Sequence, residues 1–93
     1  MKKPVNSFRT GQGTVGVAAQ VALPELGMAV QRCIKIRAAA GNAGQIYIGR
    51  IGVTAGTGFE LSATQELELE FDRPGAIYVI ASAASQKYSW IAQ

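Results

Sequence analysis

Four carboxylates stand two residues apart in the stretch Glu66-Leu67-Glu68-Leu69-Glu70-Phe71-Asp72. Carboxylates serve as general acids and bases, cleave glycosidic bonds in pairs and hold calcium. The spacing here argues against all three. Residues at i, i+2, i+4 and i+6 of an extended strand point the same way, so Glu66, Glu68, Glu70 and Asp72 form a row on one surface. A glycosidase pair must face across a cleft instead, and a calcium loop needs Asp or Asn around a glycine turn. The row is expected to meet solvent or a basic surface, and is a candidate acidic contact between copies of the chain.

Other chemistry is excluded by what the chain lacks. It has no histidine and one cysteine, so neither a Ser-His-Asp triad nor a Cys-His pair can form. A zinc site would have to use carboxylates alone, an unusual set for that metal. No catalytic residue, metal or cofactor is therefore expected, and the chain reads as non-enzymatic. Cys33 has no intrachain partner and reads as a small hydrophobe. Gly11-Gln12-Gly13-Thr14 and Gly56-Thr57-Gly58 look superficially like phosphate loops. Such loops lead from a strand into a helix, whereas these lie between extended segments. Lys35, Arg37, Tyr47, Arg50, Tyr78, Tyr88 and Trp90 supply the charge and stacking of a single-strand nucleic-acid-binding β barrel. The acidic row disfavours phosphate, and nucleic acid is the third choice of partner.

The elements that place these residues read as strands. Val15 to Leu23 alternates and ends at Pro24-Glu25-Leu26-Gly27. Ala29 to Ala38 puts Ile34, Ile36 and Ala38 on one face, with Cys33, Lys35 and Arg37 on the other. Gly41-Asn42-Ala43-Gly44 is a turn. Gln45 to Gly49 is a short strand, and Gly52 to Gly58 a glycine–threonine loop. Phe59 and Leu61 are expected to plug the core. The acidic strand turns at Arg73-Pro74-Gly75 into Ala76 to Ala81, an apolar run expected to be buried on both sides. Lys87 to Ile91 is the last strand, expected well inside the fold. Residues 1–14 are polar, basic and glycine-punctuated, which predicts an extended N-terminal arm. The prediction is an all-β protein, a small antiparallel β-sandwich or jelly roll over residues 15–93, preceded by the arm.

Composition points to a molecule that works among partners. Of 93 residues, 48% are hydrophobic and only 16% charged, low against a usual ~25% charged. Residues 1–37 carry six cations against Glu25, a net +5; residues 38–93 carry three cations against five carboxylates, a net −2. Unlike halves favour association between copies. No run approaches the ~20 apolar residues of a membrane span. Met1-Lys2-Lys3 leads into Pro4-Val5-Asn6-Ser7-Phe8, which is no signal-peptide core, so the chain is expected to be made in a cytoplasm.

One pattern is more specific. It runs Ile34-Lys35-Ile36-Arg37-Ala38, then Asn42-Ala43-Gly44-Gln45-Ile46-Tyr47-Ile48-Gly49, then Gly52-Val53-Thr54-Ala55-Gly56-Thr57-Gly58-Phe59-Glu60-Leu61. The alternating Glu66–Phe71 strand, Ile77-Tyr78-Val79-Ile80-Ala81 and Lys87-Tyr88-Ser89-Trp90 complete it. In these stretches the chain resembles small β-rich virion proteins of tailed bacteriophages. The resemblance implies a capsid decoration or cement protein, a dimer or trimer on the outer capsid surface that bridges major capsid protein subunits. It leaves a tail, baseplate or head–tail structural component as the alternative. It carries no binding residue over. The basic arm supplies the candidates for the capsid contact: Lys2, Lys3, Val5, Phe8 and Arg9.

Overall fold

The computed structural model describes residues 9–23, 33–70 and 76–92. Among them are eight strands and no helix: β1 (Arg9–Val15), β2 (Gln20–Val21), β3 (Ile34–Ala38), β4 (Ile46–Gly49), β5 (Phe59–Leu61), β6 (Glu66–Leu69), β7 (Tyr78–Ala81) and β8 (Gln86–Ala92). The expected turns at 24–27 and 73–75, the residues before Cys33 in the second expected strand, and Phe71 lie outside the described residues.

The strands form two four-stranded antiparallel sheets, ordered β1-β8-β3-β6 and β2-β7-β4-β5. The pairing is nested. β1 lies against β8, β2 against β7, β3 against β6 and β4 against β5, as if the chain had been doubled back at the β4–β5 connection. The β3–β8 and β4–β7 pairings join these hairpin-like pairs into sheets.

Alternation sets which face is dry. In β3, Ile34, Ile36 and Ala38 are buried while Arg37 is exposed; in β8, Gln86, Tyr88, Trp90 and Ala92 are buried while Lys87 and Ile91 are exposed. Ile46 and Ile48 of β4 and Val79 and Ala81 of β7 complete one apolar cluster drawn from both sheets, with Leu67 and Leu69 of β6 packed on its margin. β-branched side chains suit such half-buried pleated surfaces.

Four details depart from the sequence expectation. Residues 9–14 are not arm but the greater part of β1, paired along the whole of β8. The strand expected from Val15 shrinks to Gln20–Val21, because the chain bends at 16–19 to change sheets. Phe59 is 57% exposed, leaving Leu61 as the plug. The run at Ile77 to Ala81 is buried fully on one face only, with Tyr78 and Ile80 half-buried on the other.

The connections 39–45 and 82–85 are tied to each other and to β8 at one end of the molecule. Asn42 Nδ2 donates to the Lys87 carbonyl (2.7 Å), and the Lys87 N–H donates to Asn42 Oδ1 (2.8 Å). The Gly44 N–H donates to Gln86 Oε1, and the Gln45 N–H to Ser82 Oγ. At the other end lie Arg9, Ile34, Leu69 and Ala92 of one sheet, and Val21, Gly49 and Tyr78 of the other.

Candidate functional site

Polar and charged side chains cover the outward face of the β1-β8-β3-β6 sheet. Register places Gln12, Ser89, Arg37 and Glu66 in one cross-strand row, and Thr10, Ile91, Lys35 and Glu68 in the next. A cationic column on β3 therefore stands beside an anionic column on β6. Lys35 Nζ reaches Glu66 Oε2 at 3.6 Å, a diagonal pair with both side chains substantially exposed. Exposed pairs of this kind contribute at most about 1 kcal/mol. A shallow open depression crosses the face, lined by Thr10, Gln12, Lys35, Arg37, Glu66 and Ser89 among others.

Cys33 stands just before β3, and its thiol donates to Glu68 Oε2 at 3.0 Å. That hydrogen bond holds the proton on sulfur and pushes the thiol above its ordinary 9.0. Burial and the charges of Glu68 and Glu70 push the same way, against Lys35. A thiol held protonated is a poor nucleophile.

The acidic row is only partly in view. Glu66 and Glu68 are exposed along the outer side of edge strand β6, and Glu70 is exposed just past its end; Asp72 lies outside the described residues. Of the arm candidates, Arg9 is exposed at the start of β1, opposite Ala92. Lys2, Lys3, Val5 and Phe8 lie outside the described residues. Arg9 and the acidic row are on opposite edges of one sheet, with β8 and β3 between them.

The stacking set proposed for nucleic acid does not assemble. Tyr88 and Trp90 are 2% and 4% exposed, facing the core. Tyr47 and Tyr78 belong to the other sheet from Lys35 and Arg37. Among the described residues no group of three or more His, Cys, Asp or Glu is placed to hold a metal ion, and no helix is long and apolar enough to cross a membrane.

The glycines of the Gly11-Gln12-Gly13 motif have a packing role. Gly11 lies opposite Trp90 and Gly13 opposite Tyr88. A Cβ at Gly11 would come within 2.5 Å of the Trp90 ring, and one at Gly13 within 2.4 Å of the Tyr88 ring. The aromatic rings therefore lie over bare backbone, an arrangement known to support glycines in edge strands. The signal was present in the sequence as two motifs of equal spacing, Gly-x-Gly and Tyr-x-Trp.

Comparison with models of protein families, with curated proteins and with solved structures finds no match.

Proposed function

We propose that the chain is a non-enzymatic phage virion protein, a decoration or cement protein that sits on the outer capsid surface and stabilises the head by bridging major capsid protein subunits. The observation that carries this reading is the strand order. Eight strands paired 1–8, 2–7, 3–6 and 4–5, split into sheets 1-8-3-6 and 2-7-4-5, support the reading of the fold as a jelly roll, an architecture found in viral capsid proteins, lectins and cupins. Fold alone does not assign function. The phage-protein resemblance selects the virion role among these, and the low charge content agrees with a domain that works against other subunits.

In this reading the shell contact forms at the end of the molecule where Arg9 and Ala92 meet. β1 begins there at Arg9, and Ile51, 76% exposed in the β4–β5 connection, adds an apolar contact at the same end. Lys2, Lys3 and Arg9 pair with acidic patches on the shell, and Val5 and Phe8 anchor the segment. The protein self-associates as a dimer or trimer and needs no cofactor.

The test is binding to capsids that lack the protein. Full-length protein co-sediments with them, and a chain without residues 1–8 does not, although it stays folded. The cut belongs before Arg9, because removing residues 1–14 would strip β1 from the sheet. Undiminished binding by the shortened chain would overturn the arm's role, and binding to tails alone would favour the baseplate alternative.

A further inference from the structure

The four edges of the two sheets are unequal. β2 is two residues long and β5 three, too short to template another strand. β6 carries Glu66 and Glu68 outward, and charges along an edge deter pairing. β1 is seven residues long, and from Thr10 to Val15 it bears no charge and no proline. Among the described residues no strand pairs with its open side, where the Gln20 side chain reaches only the Thr14 carbonyl.

The direction of its backbone groups follows from β8. The Lys87 carbonyl accepts from the Ala39 N–H, and its own N–H goes to Asn42, so Lys87 faces β3. Alternation along an antiparallel strand then turns Tyr88 and Trp90 toward β1. Their partners Gly13 and Gly11 bond to β8, whereas Thr10, Gln12 and Thr14 turn their N–H and C=O groups to the open edge. The side-chain amide of Gln20 donating to the Thr14 carbonyl at 3.0 Å agrees. Thr10, Gln12 and Thr14 are all exposed.

Residues 10–14 read Thr-Gly-Gln-Gly-Thr, a palindrome about Gln12. We propose that β1 is a homodimerisation edge: two copies pair antiparallel along residues 10–14 across a two-fold axis at Gln12, joining their sheets into one. A two-fold contact must be self-complementary. This one sets Thr10 against the second copy's Thr14 and Gln12 against its own counterpart, with glycine opposite glycine between them. Gln12 and the threonines exchange N–H and C=O groups that β8 does not use, the Thr14 carbonyl accepting through its second lone pair beside the Gln20 amide, and Thr–Thr pairs across strands are favourable.

The pairing rests on the self-association in the proposed function, yet the two fail separately: capsid binding by a protein that is monomeric in solution overturns the dimer and leaves the shell role standing. The test is the mass of the purified chain by sedimentation or light scattering. Wild type is expected to be a dimer. Gln12→Lys and Gln12→Glu each set like charges against each other and are expected to be monomeric; mixed in equal amounts, they are expected to form a heterodimer. Gln12→Pro is expected to be a folded monomer by circular dichroism, because it deletes an N–H the β1–β8 ladder does not use. A monomeric wild type, a dimer indifferent to the Gln12 variants, or a mixture that stays monomeric would each overturn the proposal.

Discussion

At the scale of single residues, two contacts make sharp predictions. Gly11 and Gly13 exist where they do because Trp90 and Tyr88 occupy the space a Cβ would need. Gly11→Ala forces the buried indole or the edge strand to shift and is expected to lower unfolding free energy by about 1–3 kcal/mol. Gly41→Ala, with nothing within 4 Å of its Cβ, is expected to stay within about 0.5 kcal/mol of wild type. Urea titration followed by the fluorescence of Trp90, the chain's one tryptophan, measures both. The second contact is Cys33 with Glu68. The folded thiol is pushed above its ordinary 9.0, first by the Glu68 hydrogen bond. Its contribution to stability is therefore present below pH 9 and is lost as pH rises through the folded value. Alkylation by iodoacetamide is expected to need a higher pH in wild type than in Glu68→Ala; equal pH–rate profiles would contradict the contact.

At the scale of elements, a single turn and a single clamp stand out. Ser62 to Gln65 carries the chain from β5 in one sheet to β6 in the other, with the Gln65 N–H bonded to the Ser62 carbonyl at 2.9 Å. Its third residue, Thr64, has φ 71°, a conformation costly for a β-branched side chain. Thr64→Gly is expected to be neutral or stabilising by about 1 kcal/mol, a rise in melting temperature where most substitutions lower it. Asn42 pairs with both backbone groups of Lys87 and so extends the sheet beyond the strand end. Asn42→Ala removes both bonds and is expected to cost about 1–3 kcal/mol, with Asn42→Asp, which keeps the acceptor, falling between. Much of this level was legible in the sequence. The buried face of β3 and the isoleucines of β4 follow from period-two alternation, because side-chain direction is a local property of an extended chain. β1 was not legible: its inward positions are glycines, whose partners are rings about 75 residues away. Phe59 shares its parity with buried Leu61, but parity cannot show that it lies at the exposed start of a three-residue edge strand.

At the scale of the whole molecule, strand order matters more than strand content. Alternation suggests antiparallel sheets, but the nested pairing is a property of long-range register, and only the three-dimensional arrangement displays it. The candidate site divides along the same line. The outward direction of Glu66 and Glu68 was legible because their spacing is local, and the structure sets these two beside Arg37 and Lys35 of β3. The self-complementary edge at Gln12 was written in the sequence as a palindrome but acquires meaning only once β1 is known to be an edge. The central claim is that this chain coats and bridges a capsid shell. Cryo-electron microscopy of phage particles assembled in the presence of the chain tests this proposal most directly, by position and copy number. Copies distributed over the whole outer shell, each touching more than one major capsid subunit, are the predicted result. A handful of copies at one vertex or along the tail, or particles without the protein, would contradict it.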